Sequence, residues 1–129
     1  MAKFSMTKQK FLNQWLRHFG AGIPKEQLER YVKDQFIWHI FTCELRTFDG
    51  LLTGEDARQA FNQADKADCI YCDLYNGNGV TDQLSSRFDN AEKIDAELME
   101  LYVVGKDYSW TYIKTHEGDL CGPYFLRKA

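Results

Sequence analysis

The sequence lacks an apolar run long enough to cross a membrane. Its longest uncharged apolar stretch, residues 36–43, is interrupted by His39 and falls far short of the roughly 18 to 20 residues that a membrane-spanning helix needs. The first six residues contain no apolar run of the kind that forms the core of a signal peptide. These two absences predict a protein that does not enter a membrane and stays in the cytoplasm.

Common catalytic motifs are also missing. The sequence has no H-E-x-x-H, no G-x-S-x-G and no phosphate-binding G-x-x-x-x-G-K. Gly77 and Gly79 follow a predicted strand, but residues 80–82 do not open a helix with a third glycine, so a dinucleotide fingerprint is not indicated either. The sequence therefore favours a protein without catalytic activity and predicts no cofactor and no metal site.

An excess of basic residues is absent as well, since the net charge is −3. Residues 1–48 carry eight Lys/Arg against four Asp/Glu, whereas residues 49–105 carry four against twelve. A nucleic-acid partner is not expected, because binding to phosphates needs a continuous basic stripe. The acidic middle segment suits a basic protein or a cation. The alternative is that these charges are ordinary solvated helix faces and loops.

Four cysteines are present, yet the sequence does not favour disulfides. Cys43, Cys69 and Cys72 lie in apolar, strand-like runs, and no export signal accompanies them, so thiols that pack as small hydrophobes are expected. Cys69 and Cys72 fit the C-x-x-C spacing of redox and zinc sites. Because positions three apart on a strand point to opposite faces, we interpret them instead as two packed cysteines.

Periodicity and turn residues predict one α+β domain over residues 1–129, with a helical part over 1–34 and an α+β part over 35–129. The predicted helices cover residues 7–19, 24–33, 53–64 and 89–98, and the predicted strands cover residues 36–45, 69–75, 101–104, 110–116 and 124–126. Ser5 or Thr7, Thr53 and Asp89 are the predicted caps. We expect a mixed or mainly antiparallel sheet of four to five strands, with helices largely on one face.

The strands 101–104 and 110–116 flank a five-residue loop that is typical of a hairpin. Alternation puts Trp110, Tyr112, Lys114 and His116 on one face of the sheet, and the residues between them on the other. The aromatic residues of this region form either a ligand cleft or partner surface, or part of the core. They are Tyr102, Tyr108, Trp110, Tyr112 and Tyr124.

His116 is the strongest candidate for acid–base or metal chemistry. It stands at the end of a predicted strand, before a glycine loop that contains Asp119 and Cys121, and His39 is a further candidate neighbour. Glu117 is poorly placed to orient the imidazole, because adjacent strand residues face opposite sides. The alternative is a hydrogen-bonded histidine at the edge of the sheet.

At the hairpin the chain resembles an uncharacterised family of small bacterial proteins, a domain of unknown function found in Bacillus and relatives. The resemblance is carried by residues 101–104, 107, 109–111, 115–117 and 122–125, with a weaker similarity over 38–41 and 55–61. It spans residues 36–125 and leaves the N-terminal helices outside. It implies a bacterial, single-domain, cytosolic protein, and it supplies no established activity and no catalytic residues.

These observations favour a non-catalytic protein-binding domain, such as an immunity protein that neutralises a co-produced basic toxin. The candidate partner-binding residues are Asp73, Asp82, Asp89, Glu92, His116, Glu117 and Asp119. The alternative is a small hydrolase or ligand-binding enzyme centred on His116, and a zinc-stabilised domain is a third hypothesis. A homodimer through an uncovered strand edge is also possible.

Overall fold

The computed structural model describes residues 7–19, 26, 50–66, 69–73, 80–81, 90–96, 101–115 and 123–127. These residues include three α-helices, one short 3-10 helix (Lys106–Tyr108) and one sheet. The α-helices are α1 (Lys8–Phe19), α2 (Gly54–Gln63) and α3 (Ala91–Asp95). The strands are β1 (Leu52–Thr53), β2 (Ile70–Asp73), β3 (Val80–Thr81), β4 (Leu101–Val104), β5 (Trp110–Lys114) and β6 (Tyr124–Arg127). Among the helices described, none has the length and apolar character to cross a bilayer.

The strands form one antiparallel sheet in the order β1-β6-β5-β4-β2-β3. At its centre the hairpin of β4 and β5 pairs Leu101 with Lys114 and Val104 with Thr111. The predicted α+β class and antiparallel sheet are confirmed, and four longer strands form the body of the sheet. The short strands β1 and β3 extend it to six and form its two edges. Two-residue strands were missed because they show no alternation.

A residue at the N-cap marks the start of each α-helix. Thr7, and not Ser5, caps α1, because its hydroxyl accepts a hydrogen bond from the backbone N–H three residues later. Thr53 stands at the N-cap of α2 as predicted, although its side chain makes no cap hydrogen bond. The prediction of Asp89 as the cap of α3 is wrong. Asn90 holds that position, because the buried side of this helix begins with the next residue.

Both faces of the sheet are covered. The core beneath α1 contains Phe11, Trp15, Leu16, Phe19, Cys72, Tyr102, Val104, Tyr108, Ile113, Tyr124 and Leu126. The core beneath α2 and α3 contains Ala57, Phe61, Ala64, Cys69, Ala91, Ile94, Leu101, Val103, Trp110, Tyr112 and Phe125. Two of the three described α-helices thus share a face as expected, whereas α1 lies opposite. The reason is that the central strands are apolar on both sides, and both sides must leave water.

Some predicted elements are shorter than expected and some fall outside the described residues. The strand predicted over 69–75 is β2, and the one predicted over 110–116 is β5. The predicted strand 36–45, the turn at 76–79 and, apart from Glu26, the helix 24–33 lie outside the described residues. The antiparallel pairing of β2 with β3 is the one that a turn between them requires.

Candidate functional site

Glu92 is the one predicted partner-binding residue whose side chain is described. It lies exposed in the first turn of α3. Asp73 ends β2, where its backbone is paired with Leu101. Because Leu101 is in turn paired with Lys114, these three residues form a row at one end of the sheet. Asp82, Asp89, His116, Glu117 and Asp119 lie outside the described residues, as do His39 and Cys121, so their roles stay predictions.

Helices α2 and α3 lie side by side and antiparallel above this part of the sheet. Arg58 of α2 donates from Nε to Oδ2 of Asp95 at 2.7 Å, near the end of α3. One turn later on α2, Oδ1 of Asn62 accepts from the backbone N–H of Ala91 at 2.8 Å, at the start of α3. The two contacts join the beginning of one helix to the end of the other, which fixes their relative direction.

The outer surface of α2 and α3 is acidic. Residues 54–66 and 90–96 carry five Asp/Glu and three Lys/Arg. Exposed carboxylates include Glu55, Asp56 and Glu92. We call this surface the acidic face. Glu55 and Asp56 lie in the first turn of α2, where the helix dipole favours negative charge.

Arg58 and Lys66 of the acidic face are held by neighbouring groups. Arg58 contacts Asp95 and lies 3.7 Å from Oε1 of Glu55. Nζ of Lys66 donates to the carbonyl oxygens of Asn62 and Ala64 at 3.1 and 3.2 Å, at the C-terminal end of α2. These contacts draw positive charge toward the backbone and toward α3. With five carboxylates and three cations, the acidic face has a formal charge of −2.

The opposite helical layer has the other sign. Helix α1 carries Lys8, Lys10 and Arg17 and no carboxylate. Lys10 and Arg17 are exposed. Because α1 and the acidic face lie on opposite sides of one sheet, the two helical layers that cover the sheet differ in the sign of their formal charge.

The aromatic residues of the hairpin region belong to the core. Tyr102 and Tyr112 are completely buried, and Tyr108, Trp110 and Tyr124 are at most 9 % exposed. They are divided between the two faces, with Trp110 and Tyr112 beneath α2 and the other three beneath α1. Of the two interpretations drawn from the sequence, core packing is the one that fits.

The hairpin loop bends sharply to bury one of these rings. Asp107 and Tyr108 both have φ near +57°, which costs a side-chain-bearing residue about 1–2 kcal/mol. In return the Tyr108 ring stacks on His18 at 4.4 Å, and its hydroxyl donates to Oε1 of Gln14 at 2.7 Å. Burial of the phenol raises its pKa above the usual 10.0. The loop thus fastens α1 to the hairpin.

The C-x-x-C pair is separated by the sheet. Cys69 packs beneath α2 and Cys72 packs beneath α1, both completely buried. Neither forms a disulfide. The opposite directions predicted from strand alternation are confirmed. Among the side chains described, no group of three or more His, Cys, Asp or Glu residues is arranged to hold a metal ion.

Sequence reasoning missed the residues that connect α3 to its surroundings, namely Arg58, Asn62 and Lys114. The lysine amine donates to the carbonyl oxygen of Ile94 at 3.2 Å, beneath α3. One signal was available in the sequence, because Lys114 interrupts an otherwise uncharged strand on a face shared with Trp110 and Tyr112. A charged residue at such a position is seldom buried without a partner.

Fold and surface together define a small α+β domain with an antiparallel sheet, covered by helices of opposite charge. The chain belongs to the family described as Domain of unknown function (DUF4275), whose family model matches residues 1–125. The match confirms the resemblance to a family of unknown function. It also includes the N-terminal residues, whereas the resemblance seen in the sequence began at residue 36. No curated protein and no solved structure matches the chain.

Proposed function

We propose that this chain is a non-catalytic protein-binding domain whose partner is a basic protein. In its finer form, the proposal is a bacterial immunity protein that neutralises a co-produced toxin in the cytoplasm. The observation that carries it is the separation of charge, with the acidic face on one side of the sheet and the basic α1 on the other.

A polarised surface suits the capture of a charged partner. Complementary charge raises the rate of encounter and orients the two molecules before they touch. Glu55, Asp56 and Glu92 are exposed on helices that pack against the sheet, so their backbone is already ordered before a partner arrives. The acidic face thereby combines negative charge with a fixed shape.

The packing of the aromatic residues also supports a polar mode of recognition. Tyr and Trp are the side chains that most often anchor a partner. In the described hairpin the Tyr and Trp side chains are buried in the two cores. Recognition by the described residues would therefore depend on carboxylates at the surface, and its strength would depend on salt.

The test is to mix the protein with the basic product of an adjacent open reading frame and measure the dissociation constant at low and high salt. Binding is expected to weaken by at least tenfold as the salt rises from 20 to about 300 mM, because exposed charges are screened over a Debye length of roughly 6 to 20 Å in this range. The double variant Asp56→Asn and Glu92→Gln should weaken binding at low salt.

Lys10→Gln is the matched control. It removes one exposed charge, where the acidic-face variant removes two, and this charge lies on α1 and has the opposite sign, so binding should be unchanged or slightly stronger. Absence of binding, binding that ignores salt, or a Lys10 variant that loses affinity as strongly as the acidic-face variant would each count against the proposal.

A further inference from the structure

Helix α3 is too short to be stable without contacts to other elements. It has five residues, and isolated helices of fewer than about 12 residues are marginal in water. Only Ala91 and Ile94 are buried, while Glu92, Lys93 and Asp95 face the solvent. The position of Glu92 on the acidic face must therefore be set by contacts that α3 makes with other elements.

Three such contacts hold α3 from outside. Asn62 accepts from the first N–H of the helix at 2.8 Å, and Arg58 binds the carboxylate of its last residue at 2.7 Å. Arg58 and Asn62 are four residues apart on α2, so they project from the same side of that helix. From below, Lys114 on β5 donates to the carbonyl oxygen of Ile94 at 3.2 Å.

The Lys114 contact is the most specific of the three. This lysine is only 8 % exposed, and burial of an ammonium group is unfavourable unless a partner compensates for the lost water. The compensating carbonyl belongs to the last turn of a helix, where the dipole favours a cation. Because α3 is held at its start by α2 and at its end by β5, it cannot slide along either neighbour without losing a hydrogen bond.

We infer that Asn62, Arg58 and Lys114 are positioning residues that fix α3, and with it Glu92, at a set distance from the carboxylates of α2. This inference rests on the proposed function, because it assigns the three residues to the geometry of the acidic face. None of the three has to touch the partner. Their role is to keep the charges of the two helices in a constant arrangement.

The decisive variant is Asn62→Ala, which removes the acceptor at the start of α3 without changing the net charge. Amide hydrogen exchange within residues 91–96 should accelerate by about fivefold, as expected for the loss of one cap-like hydrogen bond. The amides of β4 and β5 should be unaffected. Gln63→Ala, at the next exposed position of α2, is the matched control and should change neither region. Asn62→Asp retains an acceptor and should restore slow exchange.

Binding of a ten-residue poly-arginine peptide at 20 mM salt supplies the second measurement, with about threefold weaker binding expected for Asn62→Ala. If exchange in α3 does not change, the positioning inference fails whatever the peptide does. If exchange accelerates but the affinity stays at the wild-type value, or if the wild-type protein does not bind the peptide, Asn62 still fixes α3, and what fails is the acidic face as a binding surface.

Discussion

Helix α1 covers one face of the sheet with four bulky side chains, whereas α2 and α3 cover the opposite face mainly with alanines and Phe61. The buried residues of α1 are Phe11, Trp15, Leu16 and Phe19. Those on the other side are Ala57, Phe61, Ala64, Ala91 and Ile94. Small residues let α2 and α3 approach the sheet closely, and the large rings beneath them are supplied by the strands.

The two sides also differ in where their hydrogen bonds lie. Beneath α1, the indole N–H of Trp15 donates to the hydroxyl of Thr111, which donates to the carbonyl oxygen of Val103. Both bonds are buried. On the other side the hydrogen bonds between α2 and α3 are exposed or only partly buried, so water competes for the same groups. We conclude that α1 is held in place by buried contacts, whereas α3 depends more on hydrogen bonds near the surface at its two ends.

Loss of the Trp15 side chain should be the largest single effect. Trp15→Ala removes a completely buried ring that contacts Phe19 and Tyr102, together with the bond to Thr111. We expect the free energy of unfolding to fall by about 3–5 kcal/mol, measured by urea denaturation. Phe61→Ala loses apolar contacts but no hydrogen bond, so its loss in the free energy of unfolding should lie at the lower end of that range. A larger loss for Phe61→Ala would contradict the contrast between the two sides.

The buried hydroxyl of Thr111 should have the next largest effect. Thr111→Val keeps the shape of the side chain but leaves the indole N–H of Trp15 without this acceptor and Val103 without this donor. A loss of about 1–3 kcal/mol is expected in the same denaturation experiment. Thr111→Ser keeps the hydroxyl and loses one methyl group, which costs about 0.8 kcal/mol. Valine and serine variants of equal stability would show that the hydrogen bonds add nothing to the packing.

The sequence predicted the features that repeat over short distances. Alternation predicted the face of each residue from Trp110 to Lys114 and the opposite directions of Cys69 and Cys72, and the loop between β4 and β5 marked the hairpin. These predictions succeeded because strand periodicity is a local property of the chain.

Features that join distant segments were not predicted. Arg58 is 37 residues from Asp95, Asn62 is 29 from Ala91, and Lys114 is 20 from Ile94. No local pattern connects the partners of such pairs, since each arises only when α3 docks beside α2 on the same face of the sheet. The same holds for the acidic face, where the sequence supplied the excess of carboxylates and the fold decided which of them share a surface.

On the acidic side, the Asn90 cap should have a smaller effect than Thr111. Its side chain accepts from the backbone N–H of Lys93 at 2.9 Å in an exposed position. Asn90→Ala should lower the free energy of unfolding by about 1 kcal/mol, measured by thermal or urea denaturation. Asn90→Asp retains the acceptor and should stay close to the wild type. If Asn90→Ala cost as much as Thr111→Val, the edges of α3 would matter as much as the buried contacts of α1, and the contrast would weaken.

The smallest effect is expected at Tyr108, and it should depend on pH. At pH 7, Tyr108→Phe should lose about 0.5–1 kcal/mol with the bond to Gln14. Because burial raises the pKa of the folded phenol, the unfolded tyrosine ionises first as the pH rises above about 10. Ionisation stabilises the unfolded state of the wild type and not that of the phenylalanine variant. The extra free energy of unfolding of the wild type is therefore complete below that pH and decreases above it. Denaturation of both proteins from pH 7 to 11 measures this difference. A difference that stays constant would mean that the phenol is as well solvated in the folded protein as in the unfolded chain, and one that widens would mean that the folded protein favours the phenolate.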